Sequence, residues 1–231
     1  MRVFNHEHLD GLDCKLEQIN EETGRRYKTP EGNLYPSITT VLGSIKNVEL
    51  EAWRERVGEK EANEVSRKAR DRGTRVHNLI EKYLLNEMTE IQIRRIMPDL
   101  RDMFRKIRPY IDSHIGKIYG IEKQLYSNRL GIAGTCDCIA EWDGVISIID
   151  WKTSNYRKGK CEIDNYFMQA TAYADMFFER VGIPIQRVVV AINVEHEGSQ
   201  VYVEDASNYI AKLESCIFDY HLTNNKRYDT I

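Results

Sequence analysis

The chain has 231 residues, of which 42% are hydrophobic and 30% are charged, and its net charge is −3, as is typical of globular proteins that work in water. No apolar run approaches the roughly 18–20 residues of a membrane-spanning helix, so the sequence excludes an integral membrane function. The five cysteines are odd in number and lack CxxC spacing, and the first residues lack a signal peptide's apolar stretch. We therefore expect a cytoplasmic protein without a disulfide framework or an iron–sulfur cluster.

The amino-terminal part predicts a hairpin followed by helices. Pro-Glu-Gly-Asn at residues 30–33 separates two short polar–aromatic runs, which is typical of a hairpin. Ser37 is a suitable N-cap for a short helix that ends near Gly43. The periodicity then predicts a charged helical region from Val48 to about Asn86, interrupted near Gly73, and a further helix from Glu90 to about Ile115.

One stretch of this helical region combines a core-facing stripe with polar residues at its edge. Apolar residues recur at helical spacing over 76–84, and His77 and Glu81 lie one turn apart beside them. Arg72 and Arg75 precede His77, and residues 67–108 carry twelve basic against six acidic side chains. This local excess of +6 indicates a surface that faces phosphate groups. A solvated helix face and a structural histidine are the alternatives.

The remaining sequence predicts a five-stranded sheet with helices around it. Three strands are expected consecutively, then a helix closed by Gly182, two more strands and a last helix. Helices before, between and after the strands indicate an α/β or α+β fold. No linker or repeat divides the chain, so residues 1–231 are expected to form a single domain. The expected strands are 119–127, 131–142, 145–154, 187–194 and 200–205, and the two helices are 163–182 and 206–221.

The second and third strands of this set carry charged residues in apolar surroundings. Asp143-Gly144 is the favoured pair for a two-residue type I′ turn, which places Trp142 opposite Val145. The same register places Asp137 opposite Asp150, with Cβ atoms about 4.5–5.5 Å apart. Like charges in that position are destabilising, so something is expected to neutralise them.

Two explanations for these carboxylates remain open from the residues. Lys152 projects to the same side as Asp150 and can form a structural ion pair. Alternatively, the carboxylates hold Mg²⁺ or Mn²⁺, for which oxygen ligands are suited. The facing pair favours the metal. Cys136 and Cys138 flank Asp137, so we expect both on the opposite face as small core residues.

The ordered motifs resemble the RecB-like branch of the PD-(D/E)XK nucleases. They are "RGTRVHNLIE", "EKQL", "GIAGTCD", "IIDWKTS" and "QATAY", in that order. More narrowly, "YPSITTVLGS" and Trp53 are similar to segments of phage exonucleases and of the mitochondrial genome maintenance exonuclease. The resemblance covers most of residues 35–173. It implies a restriction-endonuclease-like α/β core with a central mixed five-stranded sheet flanked by helices, and an N-terminal helical extension.

The resemblance also implies roles for individual residues. Metal ligands would be His77, Asp137, Asp150 and the Trp151 carbonyl, and Lys152 would orient or activate the attacking water. Gln169 and Tyr173 match a QxxxY motif that positions nucleic acid, whereas Glu122 matches a recurrent strand acid of less defined role. Cys136 replaces the family's proline, a departure that should not disable the site. Beyond the resemblance, the residues expected to grip the DNA backbone are Ser37, Thr39, Arg72 and Arg75, and those expected to stack on the bases of a single strand are Tyr35, Trp53 and Tyr166.

Together with these residues, the resemblance implies a Mg²⁺- or Mn²⁺-dependent DNA exonuclease that acts on single-stranded DNA in replication, recombination or repair, and DNA rather than RNA rests on the resemblance alone. A double-strand exonuclease of a phage recombination system needs the same site, and a catalytically silent DNA-binding module or a metal-stapled structural domain are rivals from other classes. Single-strand-binding or recombination proteins are the expected partners. The expected compartment is the cytoplasm of a bacterium or phage-infected cell, with the mitochondrial matrix as the alternative.

Overall fold

The structure is a computed structural model that describes residues 1–45 and 48–225. Two sheets and a set of helices form the fold. The strands are β1 Glu17–Glu21, β2 Gly24–Lys28, β3 Leu34–Pro36, β4 Ile115–Ser127, β5 Ile132–Trp142, β6 Val145–Ser154, β7 Arg187–Val194 and β8 Gly198–Asp205. The α-helices are α1 Ile38–Gly43, α2 Val48–Val57, α3 Glu59–Leu84, α4 Glu90–Arg94, α5 Pro98–His114, α6 Asp164–Val181 and α7 Ile210–Asn225.

The central sheet has the strand order β4-β5-β6-β7-β8, with β6 and β7 parallel and every other pair antiparallel. Helix α6 makes the crossover that a parallel pair requires. One face of the sheet packs on α6 and α7, through residues such as Ile148 and Ile192. The other packs on α3 and α5, through Ile149 and Trp151. The predicted α/β fold with a mixed five-stranded sheet flanked by helices is confirmed.

The amino-terminal hairpin and the first helix also follow the sequence prediction. Strands β2 and β3 pair antiparallel around residues 30–33, and the Thr40 amide donates to Ser37 Oγ at 3.0 Å, capping α1. Strand β1, which the sequence did not predict, adds to this hairpin to form a small separate sheet. Its side chains are mostly exposed, so it lacks the alternating apolar pattern that marks a strand.

Two expected helix boundaries were wrong. The break in the 48–86 region lies at Gly58, whose φ is 86°, and Gly73 lies inside the continuous helix α3. The 90–115 helix is divided into α4 and α5, because Pro98 begins a new helix at a position where its missing N–H is tolerated. The last helix begins at Ile210, after a short 3₁₀ turn over Ala206–Asn208. Among the described residues, no helix is long and apolar enough to cross a membrane.

Candidate active site

A cleft of about 600 Å³ opens where α3 and α6 meet the central sheet and the start of α1. The structure brings nine of the predicted site residues to its walls. Three further predicted residues, Asp150, Trp151 and Tyr166, lie next to this lining and contact its members. The nine lining residues are Ser37, Thr39, His77, Glu81, Glu122, Asp137, Lys152, Gln169 and Tyr173.

The turn register was predicted correctly, but the ladder stops one pair before the two aspartates. Asp143 and Gly144 form the turn, and the β5–β6 pairs run from Trp142↔Val145 to Cys138↔Ile149. Asp137 and Asp150 come next in this register, yet they do not form a ladder pair. The Trp151 amide donates instead to Asp137 Oδ2 at 2.9 Å. The ladder therefore ends just before the predicted facing pair, because the Trp151 amide donates to the Asp137 carboxylate, and the separation of the two aspartates stays a prediction.

The pairing of β5 with β4, on the side of Asp137 away from β6, is irregular as well. Glu122 on β4 has a φ of 50°, and the β4–β5 ladder passes from Ile121↔Cys138 to Lys123↔Cys136 without a Glu122–Asp137 pair. Cys136 packs in the α6-side core, whereas Cys138 packs in the α3-side core. Both are fully buried, as expected, but they do not share a face. A left-handed φ in a non-glycine residue stores strain, which is common at functional sites.

His77, Glu122 and Asp137 form a candidate metal centre. One ligand atom from each lies within 4.8 Å of the others, and His77 Nδ1 is 3.6 Å from Asp137 Oδ2. This set shares His77 and Asp137 with the predicted ligands, but it contains Glu122 in place of Asp150. Two carboxylates and an imidazole suit a divalent cation, and the carboxylate oxygens favour Mg²⁺ or Mn²⁺.

The ionisation of these three residues fits a cation. Desolvation raises the pKa of Glu122 to about 7, although its side chain opens to the cleft, and the Asp137 and Glu81 carboxylates raise it further. Burial raises the pKa of Asp137, against the opposing effects of Lys152 and the Trp151 amide. Burial and the Lys152 ammonium lower the pKa of His77, which favours the neutral imidazole that ligates metals. A bound cation would relieve the repulsion between the carboxylates.

Asp150 and Lys152 form a buried ion pair beside this centre. Lys152 Nζ lies 2.5 Å from Asp150 Oδ2, and the Asp150 side chain is 1% exposed. Among the described residues, neither Asp150 oxygen accepts a directed hydrogen bond, so the ammonium is its principal partner. Burial raises the pKa of Asp150 to about 6, although Lys152 opposes that rise. Burial lowers the pKa of Lys152, but Asp150 and Asp137 outweigh it and the net shift is upward.

Helix α6 fixes the position of the Lys152 ammonium. Lys152 Nζ donates to Gln169 Oε1 at 3.3 Å and lies 5.3 Å from the centroid of the Tyr166 ring. Gln169 in turn donates to the Tyr173 hydroxyl at 3.4 Å. The Tyr173 ring lies against Gly134 on β5, where any Cβ would come within 2.8 Å of its Cε1 atom. The two strands and α6 therefore meet around a single side-chain network.

Arg72, Arg75 and Trp53 do not line the cleft. Arg72 lies 2.5 Å from Glu195 at the end of β7, and Arg75 contacts the Met97 sulfur at 2.9 Å. Both line a neighbouring groove on the other side of α3. Trp53 is half-buried on α2, and none of that helix's described side chains lines the cleft.

Sequence reasoning missed other residues of the cleft, among them Arg25. Arg25 is exposed on β2 and lines the cleft two residues before Tyr27, whose hydroxyl lies 3.1 Å from Thr135 Oγ1. The period of two along a strand puts both side chains on one face. On α3, Gly73 and Asn78 join His77 in the cleft wall. The helical period contained that signal, since Gly73 lies four residues before His77 and Asn78 lies three before Glu81, and residues three to four apart share a face.

Comparison with known proteins finds a protein of similar sequence and a crystal structure with a distantly similar fold. No protein-family model matches the chain. The chain is 28% identical over 152 residues to human mitochondrial genome maintenance exonuclease 1, covering 61% of this chain and 43% of that protein. It therefore spans less than half the length of this relative. A crystal structure named "Putative exonuclease", from Eubacterium rectale, covers 67% of this chain and 68% of its own, with a TM-score of 0.43 and 8% identity.

Proposed function

We propose that the protein is a metal-dependent DNA exonuclease of the RecB-like PD-(D/E)XK type, acting on single-stranded DNA in replication, recombination or repair. The observation that carries the proposal is the cluster of His77, Glu122 and Asp137 next to the Asp150–Lys152 pair. An ion pair alone explains Lys152 but leaves three further acids and an imidazole converging on one cleft. The sequence similarity to a protein named as an exonuclease supports the same chemistry.

The residues present fit a divalent cation, and His77, Glu122 and Asp137 would hold it, with Asp150 beside them. When bound, such an ion lowers the pKa of water and stabilises negative charge on phosphate oxygens. Lys152, held cationic by Asp150, supplies an ammonium donor to the attacking water or to a phosphate oxygen. Gln169 keeps that ammonium in place, and Tyr173 keeps Gln169 in place. Each of these roles requires that the side chain is held in a defined position, and the strands and α6 hold these side chains before substrate binds.

Residues of the amino-terminal wall are suited to hold the nucleic acid. Thr39 is exposed in the cleft and its hydroxyl lies 2.8 Å from Ser37 Oγ, so Thr39 can donate to phosphate oxygens while Ser37 stays with the cap. Arg25 adds a cation on the same wall. Tyr166 borders Lys152 and offers an aromatic face, although part of it is covered. Stacking on such a face tolerates any base in a single strand.

The decisive measurement is digestion of DNA labelled at the 5′ or the 3′ end, single- or double-stranded, in Mg²⁺, Mn²⁺ or EDTA. We expect metal-dependent release of short products from single strands, faster than from duplexes, and no cutting of circular DNA. Faster digestion of duplex ends would instead support a recombination-type double-strand exonuclease. Cleavage that persists in EDTA would contradict the metal, and binding without cleavage under all conditions would indicate a silent DNA-binding module.

Gly134→Ala tests the contact between β5 and α6. The new Cβ would lie 2.8 Å from Tyr173 Cε1 and 3.0 Å from its hydroxyl, so the ring must move. We expect the free energy of unfolding to fall by about 1–3 kcal/mol, as in other overpacked cores. Cleavage should fall at least about tenfold, because moving Tyr173 releases Gln169 from Lys152 and catalytic geometry tolerates little displacement.

Gly43→Ala is the matched control for this substitution. Gly43 ends α1, and an added Cβ there meets no atom within 4 Å. We expect unchanged cleavage and a urea midpoint that does not fall, since alanine is favoured over glycine in a helix. If Gly134→Ala behaves like this control, the Tyr173 ring does not position the site.

A further inference from the structure

Part of the local positive charge of residues 67–108 lies outside the catalytic cleft, in a pocket that we call the arginine pocket. Four arginines, one glutamate and one isoleucine line it: Arg94, Arg101, Arg105, Arg108, Glu90 and Ile93, around a volume of about 310 Å³. Helices α4 and α5 form its walls. Four guanidinium groups against one carboxylate leave three positive charges in the lining.

The two cavities next to the proposed catalytic residues and along α3 do not show this excess. The groove that holds Arg72 and Arg75 is also lined by Lys68, and the acidic residues Asp71, Asp99 and Glu195 balance these three cations. The catalytic cleft carries more carboxylates than cations. A polyanionic ligand is therefore attracted to the arginine pocket rather than to either of these surfaces.

Inside the arginine pocket, one arginine is a fixed structural element. Arg108 lies 2.8 Å from Glu90 and 3.2 Å from Asp112, and its Nε also donates to the Tyr83 hydroxyl at 3.2 Å. Glu90, the largest cause, and Tyr83 raise the pKa of Arg108, although burial opposes them. Arg108 thus uses up the one carboxylate of the lining.

The other arginines keep their donors for a ligand. Arg101 donates one N–H to the Arg94 carbonyl at 2.6 Å, which leaves the rest of its guanidinium free of carboxylate partners among the described residues. Arg94 and Arg105 have no ion pair within the described part of the chain. Arg101 and Arg105 are four residues apart on α5, a spacing at which like charges repel. An anion between them would remove that repulsion.

We infer that the arginine pocket is a second phosphate-binding site, distinct from the catalytic cleft. Guanidinium groups match phosphate oxygens in a forked, charge-assisted geometry, and the volume holds a phosphate group together with several waters, each of which occupies about 30 Å³ in the liquid. The phosphate can be a free anion or a backbone phosphodiester of nucleic acid. The second form rests on the proposed function and gives the substrate an anchor outside the cleft.

The test compares Arg101→Gln/Arg105→Gln with a control pair, Lys82→Gln/Arg95→Gln, which removes the same charge from the same region but lies outside the pocket lining. Two probes are used in EDTA: sodium phosphate, followed by thermal unfolding at constant ionic strength, and a fluorescent dT20, followed by anisotropy. For the wild type we expect unfolding temperatures that rise with phosphate, since a ligand of the native state stabilises it. The pocket variant should lose that rise, and the control should keep it.

With dT20, the pocket variant should bind at least about tenfold more weakly, and its salt slope should be shallower by about 1.4 for two single-strand contacts. Loss with both probes supports a backbone site, and loss with phosphate alone supports a free-anion site. Equal behaviour of the pocket variant and the control with both probes would overturn the inference. Arg105→Gln repeats the test without disturbing the Arg101 hydrogen bond to the Arg94 carbonyl.

Failure of this site and failure of the proposed function give different results. Asp137→Asn should keep the phosphate response, because Asp137 lies outside the arginine pocket. The pocket variant should keep metal-dependent cleavage of bis(p-nitrophenyl) phosphate, which is too small to occupy both sites. If the protein has no nuclease activity, the proposed function fails, and the phosphate and dT20 binding measurements still test the arginine pocket.

Discussion

Lys152→Met should abolish cleavage and also destabilise the protein. When Asp150 is changed as well, stability should be regained but cleavage should not. The substitution leaves a carboxylate that is 1% exposed without its ammonium partner. Removing one member of a buried pair typically costs about 3–5 kcal/mol, because the other charge remains desolvated. Methionine retains the packing of the lysine stem, so lost burial contributes little.

The double variant Asp150→Asn/Lys152→Met should recover about 2 kcal/mol or more of the lost stability, since no buried charge remains. Its cleavage rate should stay at least about 100-fold below that of the wild type, because the ammonium donor is still missing. Urea unfolding and digestion of labelled DNA measure the two quantities. A single variant with the wild-type urea midpoint would contradict the buried pair, and a single variant that still cleaves would remove Lys152 from the mechanism.

Lys106→Met is the matched control for loss of an ion-paired lysine. Lys106 Nζ lies 2.6 Å from Asp102 Oδ2 on α5, but the Asp102 side chain is 54% exposed. Exposed pairs contribute about 0.2–1 kcal/mol, so a small change in stability and full cleavage are expected. The contrast between the two lysines isolates the effect of burial.

The hairpin shows what the sequence can and cannot determine about the site. The Asp143-Gly144 turn is a local feature, so it predicted the β5–β6 register correctly as far as Cys138↔Ile149. The geometry of the next two residues, Asp137 and Asp150, depends on groups outside the turn. Glu122 on β4 adopts a positive φ, and the Trp151 amide donates to Asp137. Neither event has a signal in the turn residues or in the alternation of the two strands.

The helical residues show a different kind of error. Arg72 and Arg75 were expected beside His77 because they precede it in sequence. At about 100° per residue they point roughly 140° and 200° away from it around the helix, and they line the neighbouring groove. Gly73 was expected to interrupt the helix, but it lies inside α3 where that helix packs on β6, and a Cβ there would make an ordinary contact with Thr153 Oγ1 at 3.4 Å. Tertiary contact overrides local propensity at that position.

Metal binding should distinguish the ligand set in the structure from the set that the family resemblance implies. The structure groups His77, Glu122 and Asp137 within 4.8 Å, and Asp150 is engaged by Lys152. Calorimetric titration with Mn²⁺ should therefore show affinity at least about 100-fold weaker in Asp137→Asn and at least about tenfold weaker in Glu122→Gln. Asp150→Asn should have the smallest effect of the three. Glu81→Gln, which removes a carboxylate of the same cleft outside the group, should change affinity less than about threefold.

The unfolding temperatures of Asp137→Asn and Glu122→Gln, relative to the wild type, should depend on whether metal is present. Burial raises the pKa of both carboxyl groups, and the Asp137 carboxylate raises that of Glu122 further. Asp137→Asn and Glu122→Gln each remove one of these unfavourable charges. In EDTA, the unfolding temperatures of both variants should therefore equal or exceed that of the wild type. The amide that replaces the Asp137 carboxylate retains an oxygen that can accept from the Trp151 N–H, so that hydrogen bond need not be lost. In excess Mn²⁺ the wild type gains stability in proportion to the logarithm of metal over its dissociation constant, and the order should reverse. A pair of variants that unfold below the wild type in EDTA as well would show that these carboxylates stabilise the fold without a metal. Such a result would remove the cation from the centre of this cleft.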